Sequence, residues 1–173
     1  NTSIQKEKDE LIALFTRDLK QNIQATNNKN WDVALDFTYP HLFKFVSREE
    51  TINAMETMLD VFKDFQTKLT SNVRHTHPII DFEGDKFTKF SFDRDLTFTF
   101  LNKDDLDFTL PNFIEEYGED YVKVIRNTNS IIVSGESSML AVLEANSSEW
   151  KYLEWNNNMD QFVSSDILDQ LSI

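Results

Sequence analysis

The chain has 173 residues, is 40% hydrophobic and 13% aromatic with fifteen Phe, and carries a formal net charge of −13. This length and apolar share suit one core-bearing domain over residues 1–173, and three Gly with three Pro argue against a linker-rich or disordered chain. The acidity, with Lys and Arg dispersed, weighs against binding nucleic acid or anionic lipid, and the lack of Cys excludes disulfides, thiolate zinc sites and thiol nucleophiles.

No apolar run approaches the ~18 residues needed to cross a bilayer, so no membrane insertion is expected. The first residue is Asn1 rather than Met. Two readings of compartment stay open: an exported chain whose signal has been removed, or a cytoplasmic one. The acidity itself is most simply read as solubility.

From Ile4 to about Thr26 the pattern is helical, with Leu11, Phe15, Leu19 and Ile23 recurring at i+4. Asn30 is placed to cap a short second helix through Trp31, Leu35 and Phe37. Ser47-Arg48-Glu49-Glu50 fits a capping box, and the helix it opens carries Ile52, Met55, Leu59 and Phe62.

After Phe65 the period changes to two. Phe65, Thr67, Leu69, Ser71 and Val73 share one face of a strand that reaches toward His77. Gly84-Asp85 suits a two-residue hairpin turn. The returning strand, Lys86 to Leu101, places Phe90, Phe92, Arg94, Leu96, Phe98 and Phe100 on one face and Ser91, Asp93, Asp95, Thr97 and Thr99 on the other. Its length calls for a bend or bulge. Pro111-Asn112 then predicts the start of a short helix that Gly118 stops. Strands flank Asn127-Thr128-Asn129, a further turn is expected at Gly135-Glu136, and another strand at Trp150–Trp155. Met159, Val163, Ile167 and Leu171 predict a closing amphipathic helix. The expected class is therefore α+β: N-terminal helices packed in a strongly curved antiparallel sheet, with a C-terminal helix.

The segment from Trp31 to Phe43 (WDVALDFTYPHLF) carries a family resemblance, together with the Glu50–Phe62 helix. It continues in Glu116-Tyr117-Gly118-Glu119-Asp120-Tyr121-Val122 and in Trp150-Lys151-Tyr152-Leu153-Glu154. In these segments and in element order the chain resembles the nuclear transport factor 2-like superfamily, which includes ketosteroid isomerases and SnoaL-like polyketide cyclases. The resemblance is closest to small bacterial members of unassigned function. It implies a cone-like fold whose curved sheet wraps the helices. No catalytic motif of the superfamily matches residue by residue, and the helix after Pro111 is short for it, so the resemblance does not imply an enzyme.

If Gly84 and Asp85 form the turn, Glu83 faces Lys86, Ile79 faces Phe90, His77 faces Phe92, His75 faces Arg94 and Leu69 faces Phe100. That register puts His75, His77 and Arg94 on the aromatic face beside Phe92 and Phe98, where a forked guanidinium and neutral imidazoles could hold an anion or carboxylate. The competing reading has a bulge over Val73–Pro78 that turns the histidines to solvent, and Arg94 paired with an acid at the rim. A metal would need a third ligand beside the two histidines; Asp81 and His41 are the remaining candidates, neither spaced as a motif, so no metal and no cofactor are expected. An isomerase-type site needs an inner carboxylate with a Tyr or protonated acid opposite, and Glu154 and Tyr39 are the candidates. No catalytic residue is assigned. The expectation is a non-enzymatic domain binding a small apolar or carboxylated molecule at His75, His77, Arg94, Phe92 and Phe98. An isomerase or cyclase is the second reading, and a module that forms a homodimer through its sheet, without ligand, the third.

Overall fold

The structure, a computed structural model, describes residues 2–172, without the side chains of residues 75 and 76. Helix α1 (Thr2–Asn27) follows from its i+4 stripe and turns Phe15, Leu19 and Ala25 into the core. A short α2 (Trp31–Leu35) and a 3-10 turn (Pro40–Lys44) lead to α3 (Arg48–Leu59). There the Ser47 side chain accepts from the Glu50 N–H at 3.1 Å, as the capping box predicts.

Strands β1 (Asp64–Leu69), β2 (Arg74–Thr76) and β3 (Ile80–Phe82) all pair antiparallel with one side of the long β4 (Asp85–Thr99). Helix α4 (Lys103–Tyr117) and β5 (Val122–Ile125) follow, and β6 (Ser130–Leu143) pairs with the other side of β4 over nearly its whole length. The far edge of β6 takes β5 and then β7 (Lys151–Glu154), and α5 (Ser165–Leu171) closes the chain. The result is α+β: a curled, unclosed antiparallel sheet with the N-terminal helix against its inner face.

Alternation along β4 decides what faces what. Phe90, Phe92, Arg94, Leu96 and Phe98 point inward, opposite Met139, Ser137, Gly135, Val133 and Ile131 of β6. At one end Phe15 of α1 stacks on Phe90 with ring centres 4.7 Å apart and meets the edges of Trp150 and Tyr152. At the other end Phe98 and Phe100 pack with Phe62, Phe113 and the buried Leu106 of α4. The outer face is covered where α5 lies: Met159, Val163, Ile167 and Leu171 are all buried there against Phe87, Leu140 and Val142. Elsewhere it is polar. Ser91 bonds Ser138, Ser134 donates to Asp95, and Arg74 bridges Asp93 and Glu136.

Several expected elements are corrected. The turn residues are Glu83 and Gly84, at φ 51° and 89°, because a type I′ turn needs positive φ at both central positions. Asp85 belongs to β4 instead, and its carboxylate accepts from the Ala145 N–H at 2.8 Å. The register moves accordingly: Phe82 faces Asp85 and Ile80 faces Phe87. β1 ends at Leu69, and Leu69 faces Arg94 rather than Phe100. The irregularity falls in β2, whose register shifts between Arg74 and Thr76, while β4 runs unbroken. No turn forms at Gly135-Glu136, since β4 supplies a continuous partner through that point.

Helix α4 starts well before Pro111. Asn102 caps it, accepting from the Asp105 N–H at 2.8 Å, and Asp104 and Asp105 suit its positive end. These favour initiation strongly enough for Pro111 to sit inside the helix. Asn102→Ala should cost about 1 kcal/mol in urea unfolding. Gly84→Ala should cost about 1–2 kcal/mol in the same assay, because the left-handed backbone is retained while the new Cβ meets the Ala145 Cβ at 3.3 Å.

Candidate functional site

Two neighbouring spaces lie between α1 and the inner face of the sheet. The larger, a groove of about 450 Å³, is walled by Ile23, Met58, Phe62, Phe92, Phe98 and Phe113 among others. The smaller, a chamber of about 210 Å³, is bounded by Asp18, Thr38, Leu42, Phe90 and Tyr152. Leu19, Asn22, Met139 and Glu154 belong to both, so they form the partition.

Arg94 stands on the floor of the groove because it occupies an inward position of β4. Its partner on β6 is Gly135, where an added Cβ would find nothing within 4 Å. The missing side chain leaves open space beside the guanidinium. A second cleft, of about 370 Å³, uses that space: Arg94, Gly135, Tyr117 and Tyr121 line it. Arg94 is thus reached from two sides.

The Arg94 side chain is only 20% exposed. Its Nη2 donates to Glu154 Oε1 at 2.5 Å, and its guanidinium carbon lies 5.8 Å from the centre of the Phe92 ring. Among the described residues nothing accepts from its Nε or Nη1. No polar side-chain atom sealed from solvent lacks a partner among those residues. The uncommitted donors are therefore not sealed from solvent, on a residue that lines both the groove and the cleft. Nearby, burial first and the Glu116 carboxylate second push the Tyr117 hydroxyl above the usual phenol value, which keeps it a neutral hydrogen-bonding group.

The other expected residues separate. Phe92 and Phe98 line the groove with Arg94. The side chain of His75 lies outside the described residues. His77 does not face Phe92: its N–H donates to the Lys89 carbonyl at 2.8 Å, and its carbonyl accepts from Thr88. It lines neither groove nor chamber. Burial and then the Lys89 ammonium hold its pKa below the ordinary imidazole value, so the charge acting on it is Lys89 rather than Arg94. The shift in β2 register is the physical reason for this displacement. Of the isomerase candidates, Tyr39 is buried under stacking with His41, and Glu154 is committed to Arg94.

The sequence reading missed Asp18, Tyr152 and Gly135. Asp18 is 8% exposed; its Oδ2 accepts from the Tyr152 hydroxyl at 2.5 Å, and its Oδ1 accepts from Arg17 at 3.0 Å. A signal existed, since Asp18 stands at i+3 from Phe15 on the apolar stripe of α1. Burial, and then the hydrogen bond to Asp18, push the Tyr152 pKa far above the usual phenol value. The sign follows. A folded-state pKa above the unfolded one contributes stability that is whole below about pH 10 and is lost as pH rises beyond it. Tyr152→Phe should cost about 1–2 kcal/mol near neutrality, by leaving Asp18 short of a donor. It should also flatten the alkaline limb of a stability-against-pH curve.

No protein-family model matches the sequence, and no curated protein matches it. Solved structures do. A nuclear transport factor 2 (NTF2-like) superfamily protein from Salmonella enterica subsp. enterica serovar Typhimurium str. LT2 is similar at 11% identity and TM-score 0.46, over 87% of this chain and 94% of that one. An NTF2-like family protein from Streptomyces avermitilis, provisionally described as a dehydratase, is similar at 8% identity and TM-score 0.40, over 84% of this chain and 93% of that one. Both belong to the superfamily that the sequence resembles. Neither likeness is close enough to carry a role onto any residue here.

Proposed function

We propose that this chain binds a small apolar molecule bearing a carboxylate, with the apolar body in the groove and the carboxylate on Arg94, and that it does so without catalysis. The observation that carries this reading is the guanidinium itself: largely buried, flanked by aromatic walls, and with Nε and Nη1 uncommitted among the described residues. A largely buried cation with unused donors favours an anionic acceptor. Glu154 takes Nη2, which holds the guanidinium in place for a ligand approaching Nε or Nη1. Dansyl-undecanoate, an apolar chain with a carboxylate and a fluorophore, tests the proposal. Saturable one-to-one fluorescence enhancement, reversed by decanoate, is expected; a linear, unsaturable rise would contradict it.

One observation favours the second reading, a small isomerase or cyclase. Asp18 and Tyr152 supply a carboxylate and a phenol at the wall of the chamber. They are engaged with each other, however, and Arg17 holds the other carboxylate oxygen, so proton transfer to a substrate would first require this pair to open. The homodimer reading has less support still. Outside the α5 patch the outer sheet face carries Asp93, Asp95, Glu136 and Arg74, already hydrogen-bonded and costly to desolvate.

A further inference from the structure

We propose that the inner chamber is a separate binding site, for a small apolar molecule ending in a hydrogen-bond donor, a primary amine or an alcohol. This goes beyond the groove: the two neighbouring spaces would select opposite heads. The chamber walls supply apolar contact through Leu19, Phe37, Leu42, Phe90 and Leu153, and among the described residues no Lys, Arg or His lines it.

Its polar atoms are almost all acceptors. The Tyr152 hydroxyl is spent on Asp18, and one of the two Asn22 Nδ2 hydrogens goes to the Ala34 carbonyl at 2.9 Å. Asp18 and Glu154 bring carboxylates and Asn22 a side-chain carbonyl, against which the donors left are the Thr38 hydroxyl and the second Asn22 N–H. A carboxylated guest would meet lone pairs and like charge. An ammonium or hydroxyl group would instead make charge-assisted bonds to carboxylates already positioned by Arg17 and Arg94. Asp18 is held on both oxygens, so its geometry is set before any guest arrives.

The test is a heteronuclear NMR titration with three molecules of one skeleton: benzylamine, benzyl alcohol and benzoate. Benzylamine and benzyl alcohol should give saturating shifts at Asp18, Thr38 and Tyr152, with benzoate weaker by about tenfold, equivalent to about 1.4 kcal/mol. Leu42→Trp, which fills the chamber from a residue that does not line the groove, should abolish these shifts and leave dansyl-undecanoate binding unchanged. Asp18→Asn should narrow the gap between benzylamine and benzoate. The proposal is overturned if benzoate binds as tightly as benzylamine, if benzylamine shifts survive Leu42→Trp, or if no shift saturates. Dansyl-undecanoate binding in the same samples reports the groove separately, so the failure of one site is distinguishable from failure of the other.

Discussion

Phe15→Ala should destabilise the protein by about 3–5 kcal/mol in urea unfolding, among the largest effects of any single truncation. Phe15 is fully buried, stacks on Phe90 and presses edgewise on Trp150 and Tyr152. Its removal leaves a cavity between α1 and the sheet that rigid β4 and β6 cannot close, and it withdraws three aromatic contacts together. A domain with ordinary stability of about 5–15 kcal/mol would lose a large part of it. A cost below about 1 kcal/mol would mean that α1 does not pack on this face. The milder Phe15→Leu keeps most of the volume and should cost clearly less, which separates packing from general intolerance at the site.

Arg94→Ala should weaken decanoate binding by about tenfold to a hundredfold while leaving decanol unchanged. The range follows from losing charged hydrogen bonds of about 1.5–3 kcal/mol. Decanol isolates the apolar contribution, since it meets the same walls without needing a cation. The variant also frees Glu154, whose unpaired carboxylate then repels an anionic guest, so the loss should sit toward the upper end. Displacement of dansyl-undecanoate by each compound measures both affinities. Equal weakening of decanol and decanoate would assign Arg94 to shaping the groove rather than reading the head.

The sequence reached the inner face of β4 by parity alone. The turn lies one residue earlier than assumed, which slips the pairing by two, and an even slip returns every side chain to the same face. Phe90, Phe92, Arg94 and Phe98 therefore point inward under either register. The histidines had no such protection. They lie beyond the end of β1, and the shift between Arg74 and Thr76 breaks the pairing that would have set His77 opposite Phe92. The turn itself was misread because Glu83 is an unusual residue at positive φ, while Gly84 with Asp85 looked more familiar. Pro111 concealed the start of α4 in a similar way, since Pro favours a first turn and the Asn102 cap lay outside the assumed helix.

The candidate site was legible only where it interrupts a pattern. Arg94 breaks an aromatic face, and Asp18 breaks the apolar stripe of α1, although only the first was singled out. Tyr152 stayed hidden because its meaning comes from Asp18, 134 positions away in the chain. Gly135 was also unreadable, because a strand glycine declares its role only once its cross-strand neighbour is known. Opposite Arg94 that role is to leave room.

The most direct measurement is a crystal structure of the protein with decanoate bound. Electron density for the alkyl chain is expected along Phe92 and Phe98, with the carboxylate within hydrogen-bond distance of Arg94 Nε or Nη1. Density elsewhere, or an Arg94 that still contacts Glu154 alone beside an empty groove, would contradict it.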